Sequence, residues 1–235
     1  RMKLPAIRIG FVGFGEVNTP REIIERKCRE ARRLLEKAGL SVVWTDPVSD
    51  DPEGSDVARA RNELDKADFD LLVVCLAGWI PSHAVLGVID RFRHKPMVLW
   101  GLTGWQENGR FVTTADQAGT TALRQTLEAM QFRFVYLPTF LGEQLDVEAV
   151  VSAARAAQAA ARLRGARIGM MGYRDMNLYA TLHEGVSLRS QIGPEVEVFE
   201  MLEMAQRIEA LDPVKVKALA ASMRRRWTYK KKAAD

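Results

Sequence analysis

Between residues 7 and 163 the sequence alternates between short apolar runs and longer segments of helical periodicity. Such an alternation predicts strands joined by helices, and therefore a mostly parallel sheet that is covered by helices on both faces. The most apolar run, residues 71–76, shows no alternation of polar and apolar positions. It is typical of a central strand that is buried on both sides.

The pattern contains five strand–helix units, which predict a flavodoxin-like doubly wound α/β domain over residues 1–164. Glycine and proline punctuate the units, with proline at the start of several helices and Gly39 after the end of the first. Thr19 is expected to cap that first helix. The predicted strands cover residues 7–13, 40–45, 71–76, 96–101 and 132–138. The predicted helices cover residues 20–38, 55–66, 81–93, 114–130 and 147–163.

At Gly165 the pattern restarts, with strands predicted at 166–172 and 196–199, a helix at 177–191, and two further helices that reach Trp227. Two strands are too few for an independent doubly wound sheet. We therefore expect residues 165–235 to be the start of a second, truncated α/β domain. The sequence leaves open whether a further portion was lost in cloning, by proteolysis or in the gene.

Composition excludes several classes of partner. The chain has 235 residues, 27% of them charged, and a net charge of +4. Much of the positive excess lies in one terminal run, so nucleic acid is not an expected partner. No stretch reaches the roughly 18 apolar residues of a membrane span, so no membrane partner is expected either.

Cys28 and Cys75 are far apart and fit neither a disulfide framework nor a metal-ligand spacing. A cytoplasmic location is predicted. The terminal run comprises Arg224, Arg225, Arg226, Lys230, Lys231 and Lys232.

A glycine-rich turn follows the first strand. Its spacing is G-x-x-G-x-G, from Gly10, Gly13 and Gly15, whereas dinucleotide-binding turns have G-x-G-x-x-G leading directly into a helix. Asp46 at the end of the second strand keeps a nucleotide-binding alternative open. The other interpretation is a flexible turn at the carboxyl edge of the sheet.

Candidate ligand-binding side chains follow the third and fourth strands, where ligands of open α/β sheets bind. Trp79 could stack on the apolar face of a sugar ring, and Ser82 and His83 could offer hydrogen bonds. Thr103 offers a hydroxyl after the fourth strand. A structural role for Trp79, closing the core, is the alternative. Trp100 continues an apolar strand and is expected to be a core residue.

No catalytic or metal-binding residue is predicted within this chain. The three histidines, His83, His94 and His183, are scattered, and no H-E-x-x-H motif is present. Cys75 is expected to be buried, with a raised pKa, and is therefore a poor nucleophile.

Four segments of the sequence resemble the L-fucose isomerase-like enzymes, with the L-arabinose isomerases as relatives. They comprise residues 4–10 with Pro20-Arg21-Glu22, the strand end at 75–79, the run at 95–104, and residues 166–172 with Glu200-Met201 and Arg207-Ile208. The likeness covers nearly the whole chain, and each motif is short.

The resemblance implies that the chain is the N-terminal half of an aldose–ketose isomerase. Such enzymes use a divalent metal, usually Mn²⁺, that acidic residues and a histidine of later domains hold. That region lies outside this sequence, so no cofactor is expected here and the chain alone should be inactive. The resemblance further implies a sugar as ligand, a homo-oligomer, and Trp79 as the residue that stacks on the sugar.

One departure from the family pattern leaves the sugar unidentified. The arginine that some relatives place after the first strand has no clear match, and Arg21 is only nearby. The alternative to a truncated isomerase is a non-catalytic sugar-binding or assembly module that functions at this length.

Overall fold

The computed structural model describes residues 5–228 and divides into two compact units, Arg1–Arg162 and Leu163–Asp235. In the first unit, a five-stranded parallel sheet has the strand order β2-β1-β3-β4-β7. This is the order of flavodoxin-like doubly wound sheets, and the prediction of an α/β domain around a parallel sheet is confirmed. The strands and helices of this unit are β1 Arg8–Phe14, α1 Arg21–Lys37, β2 Ser41–Trp44, α2 Ser55–Asp65, β3 Leu71–Leu76, α3 Ser82–Ile89, β4 Met97–Leu102, β5 Trp105–Glu107, β6 Arg110–Val112, α4 Asp116–Ala129, β7 Phe134–Thr139 and α5 Val147–Arg164.

Helices cover both faces of the sheet. On one face, α2, α3 and α4 pack against side chains such as Phe14, Leu72 and Leu76. On the other face, α1 and α5 pack against Phe11, Val73 and Trp100. All six residues of β3 are buried, as the unbroken apolar run predicts.

The structure differs from the prediction at two local points. The run after β4 continues into a short antiparallel hairpin of β5 and β6, which the sequence pattern did not predict. Helix α1 begins at Arg21 with Pro20 as its cap residue, so the expectation that Thr19 caps it is wrong. The Thr19 hydroxyl is buried and has no hydrogen-bond partner.

Two glycines allow α1 to approach the end of β1. A Cβ atom at Gly13 would overlap the sulfur of Cys28, and one at Gly15 would overlap the side chain of Ile24. Cys28 and Ile24 lie on the buried face of α1. Close helix–strand packing therefore accounts for these two glycines.

The second unit contains a two-stranded parallel sheet of β8 Arg167–Met171 and β9 Glu195–Phe199. Its helices are α6 Gly185–Gln191, α7 Met201–Glu209 and α8 Pro213–Arg226. The prediction of one helix over 177–191 is wrong for its first half, where two 3-10 turns precede α6. Glu184 fixes the start of α6, because its carboxylate accepts hydrogen bonds from the backbone N–H groups of Val186 and Ser187.

We expect Gly13→Ala to lower the free energy of unfolding of the first unit by about 1–3 kcal/mol, because the added methyl group overpacks the α1–β1 contact. Urea unfolding followed by tryptophan fluorescence measures this loss. In the double variant Gly13→Ala/Cys28→Ala, removal of the sulfur should restore part of it. Strictly additive losses would contradict this explanation of Gly13.

Candidate functional site

A cavity of about 380 Å³ opens at the carboxyl edge of the sheet in the first unit. Its walls come from three segments: α1 around Lys27, the residues that follow β4 from Thr103 to Gln106, and the loop from Thr139 to Leu145 that follows β7. Parallel strands end here together, so loops from distant parts of the sequence meet at one place. The cavity is therefore a candidate ligand-binding site of the first unit.

Lys27 forms the base of this region. Its ammonium group donates a hydrogen bond of 2.7 Å to the carbonyl oxygen of Ala77 and another to the carbonyl oxygen of Leu102. Its third contact is the Asp116 carboxylate, at 3.3 Å. All three N–H donors of the ammonium group are therefore used within the protein. Lys27 ties α1 to the ends of β3 and β4 and to the start of α4.

Asp116 is the partner that makes the burial of Lys27 tolerable. Its side chain is 1% exposed, and that of Lys27 is 11% exposed. One carboxylate oxygen also accepts a 2.7 Å hydrogen bond from the backbone N–H of Gly104, and the other accepts one of 2.6 Å from the Thr113 hydroxyl. Buried charges are tolerated only when they are paired and hydrogen-bonded in this way.

The pKa of Lys27 lies below its ordinary value because burial disfavours the charged form, although the charge of Asp116 and the hydrogen bond to it act in the opposite direction. Since its donors are all used, Lys27 shapes the cavity and does not offer it a free charge. Lys27 is not among the residues that the sequence pattern predicts for the site. One signal could have found it: Lys27 shares the buried face of α1 with Ile24, Cys28 and Ala31.

We expect Lys27→Met to lower the free energy of unfolding by about 3–5 kcal/mol, because the Asp116 carboxylate is then buried without its countercharge. Chemical denaturation measures the loss. Arg29→Met is the matched control, since Arg29 lies on the same helix with a side chain that is 72% exposed, and it should change stability by less than about 0.5 kcal/mol. The double variant Lys27→Met/Asp116→Asn should lose less than the sum of its single variants. An additive result would show that the two residues are not coupled.

The cavity lining combines apolar surface with polar groups of both charges. Trp105, Phe140 and Leu145 contribute apolar surface, and Thr103 and Thr139 contribute hydroxyl groups. Arg26, Glu30 and Glu143 add one positive and two negative side chains at the same cavity. Because Lys27 is neutralised by Asp116, the lining has no excess of positive charge that would select an anion.

Of the predicted site residues, only Thr103 lines this cavity. Trp79, Ser82 and His83 lie together at the end of β3 and the start of α3, as the sequence indicates. Trp79 is half-buried, and its indole ring packs against Gly119 of α4. The Trp79 carbonyl oxygen accepts a hydrogen bond from the backbone N–H of Glu16, and the Trp79 N–H donates one to the Thr114 hydroxyl. His83 is exposed, and Ser82 is half-exposed. The structure therefore does not bring the predicted residues into one site.

Arg21 lies outside the cavity, at the start of α1. Its guanidinium group forms ion pairs with Glu25, at 3.2 Å, and with Asp56, at 3.4 Å. Asp56 also accepts hydrogen bonds from Arg59 and from the hydroxyl and backbone N–H of Ser49. Arg21 thus belongs to a surface network that joins α1 to α2.

That network changes how Asp56 titrates. Burial by itself raises the pKa of its carboxyl group, but the hydrogen bonds from Arg59 and Ser49 and the Arg59 charge outweigh burial and lower the pKa to about 2. A carboxyl group with a lowered pKa stabilises the fold at every pH above its unfolded value of 3.8, and this stabilisation is lost as the pH falls towards 2.

We therefore expect Asp56→Asn to cost about 1 kcal/mol of unfolding free energy at neutral pH, a value discounted for partial solvent exposure. The difference from the wild type should shrink between pH 4 and pH 2, because protonation then removes the same charge from the native protein. Urea unfolding at a series of pH values measures it. A difference that is constant over this range would contradict the lowered pKa.

The glycine-rich turn after β1 does not present its amide groups to a ligand. The backbone N–H groups of Gly15 and Glu16 donate to the carbonyl oxygens of Val48 and Trp79, and that of Val17 donates to the Asp50 carboxylate. A phosphate cradle needs such N–H groups to be free. The nucleotide-binding alternative loses its main structural support.

Within residues 5–228, the cysteine, histidine and acidic side chains form no metal-binding group or exposed thiol site. Cys28 and Cys75 are free and buried, and burial together with the neighbouring Cys28 raises the pKa of the Cys75 thiol, as expected. No group of three or more His, Cys, Asp or Glu side chains within residues 5–228 could hold a metal ion. Of the terminal basic run, Arg224 to Arg226 end α8, and Lys230 to Lys232 lie outside the described residues.

Comparison with known proteins adds no identification: no family model matches the chain, and no curated protein matches its sequence. In the part of the chain that the structure covers, no helix combines the length and apolar character needed to cross a lipid bilayer.

Proposed function

We propose that the first unit binds a monosaccharide in the cavity at the carboxyl edge of its sheet. The chain would serve as the substrate-recognition part of a sugar isomerase-like protein, in which later domains outside this sequence would carry the metal-binding catalytic residues. The observation that carries this proposal is the cavity of about 380 Å³ with its mixed lining. Its size lies at the lower end of the range for small-molecule sites, which suits a single sugar better than a dinucleotide.

The lining favours a neutral, hydroxylated ligand. A sugar ring presents an apolar face and several hydroxyl groups, and the cavity offers apolar side chains beside hydroxyl, amide, carboxylate and guanidinium groups. A phosphorylated ligand would require an uncompensated positive charge, and the buried cation nearest to the cavity is already paired with Asp116. Charge and shape therefore support a sugar without a phosphate group.

The proposal extends to the assembly of the protein. The second unit would be the beginning of a truncated α/β domain, since its two strands form a parallel sheet, an arrangement that is normally covered on both faces. Ile168 and Val198 of these strands are 48% and 56% exposed, and Leu202 of α7 is 66% exposed. Apolar surface of this kind favours association, so a homo-oligomer is part of the proposal, together with a cytoplasmic location.

The same exposed apolar residues favour a second candidate, a non-catalytic sugar-binding or assembly module. The two candidates differ in whether this chain belongs to a metal-dependent isomerase. No turnover of aldoses is expected from the chain alone with Mn²⁺, and detectable turnover would contradict the assignment of the catalytic residues to another region.

Calorimetric titration with a panel of neutral pentoses and hexoses tests the proposal. We expect at least one to bind, and we expect Thr103→Val to weaken its binding about tenfold, because a hydroxyl group of the cavity is lost. His83→Ala is the control outside the cavity and should leave the affinity unchanged. If His83→Ala weakens binding and Thr103→Val does not, the sugar binds instead at the end of β3, around Trp79. Absence of binding by every sugar would refute the proposal.

A further inference from the structure

The indole N–H of Trp105 is a buried hydrogen-bond donor without an acceptor in the part of the chain that the structure describes. The residue begins β5, lines the cavity and is only 6% exposed. Its indole Nε1–H is buried and has no hydrogen-bond partner within residues 5–228. An unpaired buried donor destabilises a protein, and one explanation for such a group is an acceptor that a bound ligand supplies.

The surroundings of Trp105 exclude the simplest internal solutions. The Lys27 ammonium group lies 5.9 Å from the centre of the Trp105 ring, and it is a donor, so it cannot accept the indole hydrogen. The nearby Asp116 carboxylate is already engaged by Lys27, Gly104 and Thr113. Trp100 shows the alternative arrangement: its indole N–H donates to the Thr139 hydroxyl at 3.0 Å. Of these two buried indoles, only that of Trp105 lacks an acceptor.

We propose that Trp105 Nε1–H is the specificity-determining donor of the cavity, and that it takes an uncharged acceptor oxygen of the ligand, either a hydroxyl or the ring oxygen of a sugar. This inference rests on the proposed function and adds a named contact to it. Because the indole nitrogen is shielded from solvent, this contact requires the surrounding side chains to move when the ligand binds. A site with one unmet donor rejects analogues that lack the matching oxygen, because the donor then stays unpaired.

The test combines one protein variant with one change in the ligand. Trp105→Phe keeps an aromatic ring and removes the N–H, and it should weaken the best-binding sugar about tenfold. Trp44→Phe is the matched control, since Trp44 is a tryptophan outside the cavity lining whose ring stacks on Phe11, and the affinity of this variant should equal that of the wild type. Monodeoxy and ring-oxygen-replaced analogues of the same sugar are titrated against each protein.

For one of these analogues, the wild type should lose about tenfold in affinity, and Trp105→Phe should lose nothing further. That non-additivity identifies Trp105 Nε1 and the missing oxygen of the sugar as hydrogen-bond partners. As a second measurement that does not depend on the variant's stability, the indole Hε1 resonance of Trp105 should shift on addition of sugar. The resonance is identified by its absence from the Trp105→Phe spectrum.

The outcomes separate the inference from the proposed function. Sugar binding with an unshifted Trp105 resonance, or with equal losses for every analogue in both proteins, overturns the role of Trp105 and leaves sugar binding standing. Absence of binding by every sugar overturns both. Tighter binding of sugar phosphates than of the parent sugars overturns the choice of an uncharged ligand.

Discussion

The carboxyl edge of the sheet depends on one buried ion pair, between Lys27 and Asp116. The pair connects segments that are far apart in the sequence, because Lys27 also binds carbonyl oxygens at the ends of β3 and β4, and Asp116 also binds the backbone of Gly104. Replacing buried pairs by apolar residues is often neutral or stabilising in other proteins, so this pair is not an obvious source of stability. Its structural consequence is to fix where the two strands end relative to α1 and α4.

The cavity follows from that arrangement. Lys27 holds the chain after β4 against α1, and the loop after β7 supplies the remaining wall. Because the ammonium and carboxylate groups satisfy each other, the charges at the base of the cavity cancel. This cancellation is one reason why we propose a neutral ligand with hydroxyl groups for the site. The same constraint explains why Lys27 serves as a positioning residue, since none of its donors is free for a ligand.

The glycine-rich turn illustrates how one motif supports different explanations until its contacts are known. Gly13 and Gly15 invite a phosphate-binding interpretation, yet they lie against Cys28 and Ile24 of α1. The following amide groups are bound to the protein itself. Trp79 is similar: it follows a central strand, as a ligand-stacking residue would, and its ring packs on Gly119 of α4. The role of each residue is decided by its neighbours across the fold.

The sequence by itself determined the α/β class, the parallel sheet and the helices of the first unit, because apolar periodicity and glycine or proline boundaries are local signals. It also placed Trp100 in the core, where the residue is fully buried. Only the tertiary structure decided which residues line the cavity. Thr103 was found because it follows a strand, whereas Lys27 and Trp105 were missed. Lys27 contacts Leu102 and Asp116, which are 75 and 89 residues away in the sequence, and no local pattern encodes such contacts.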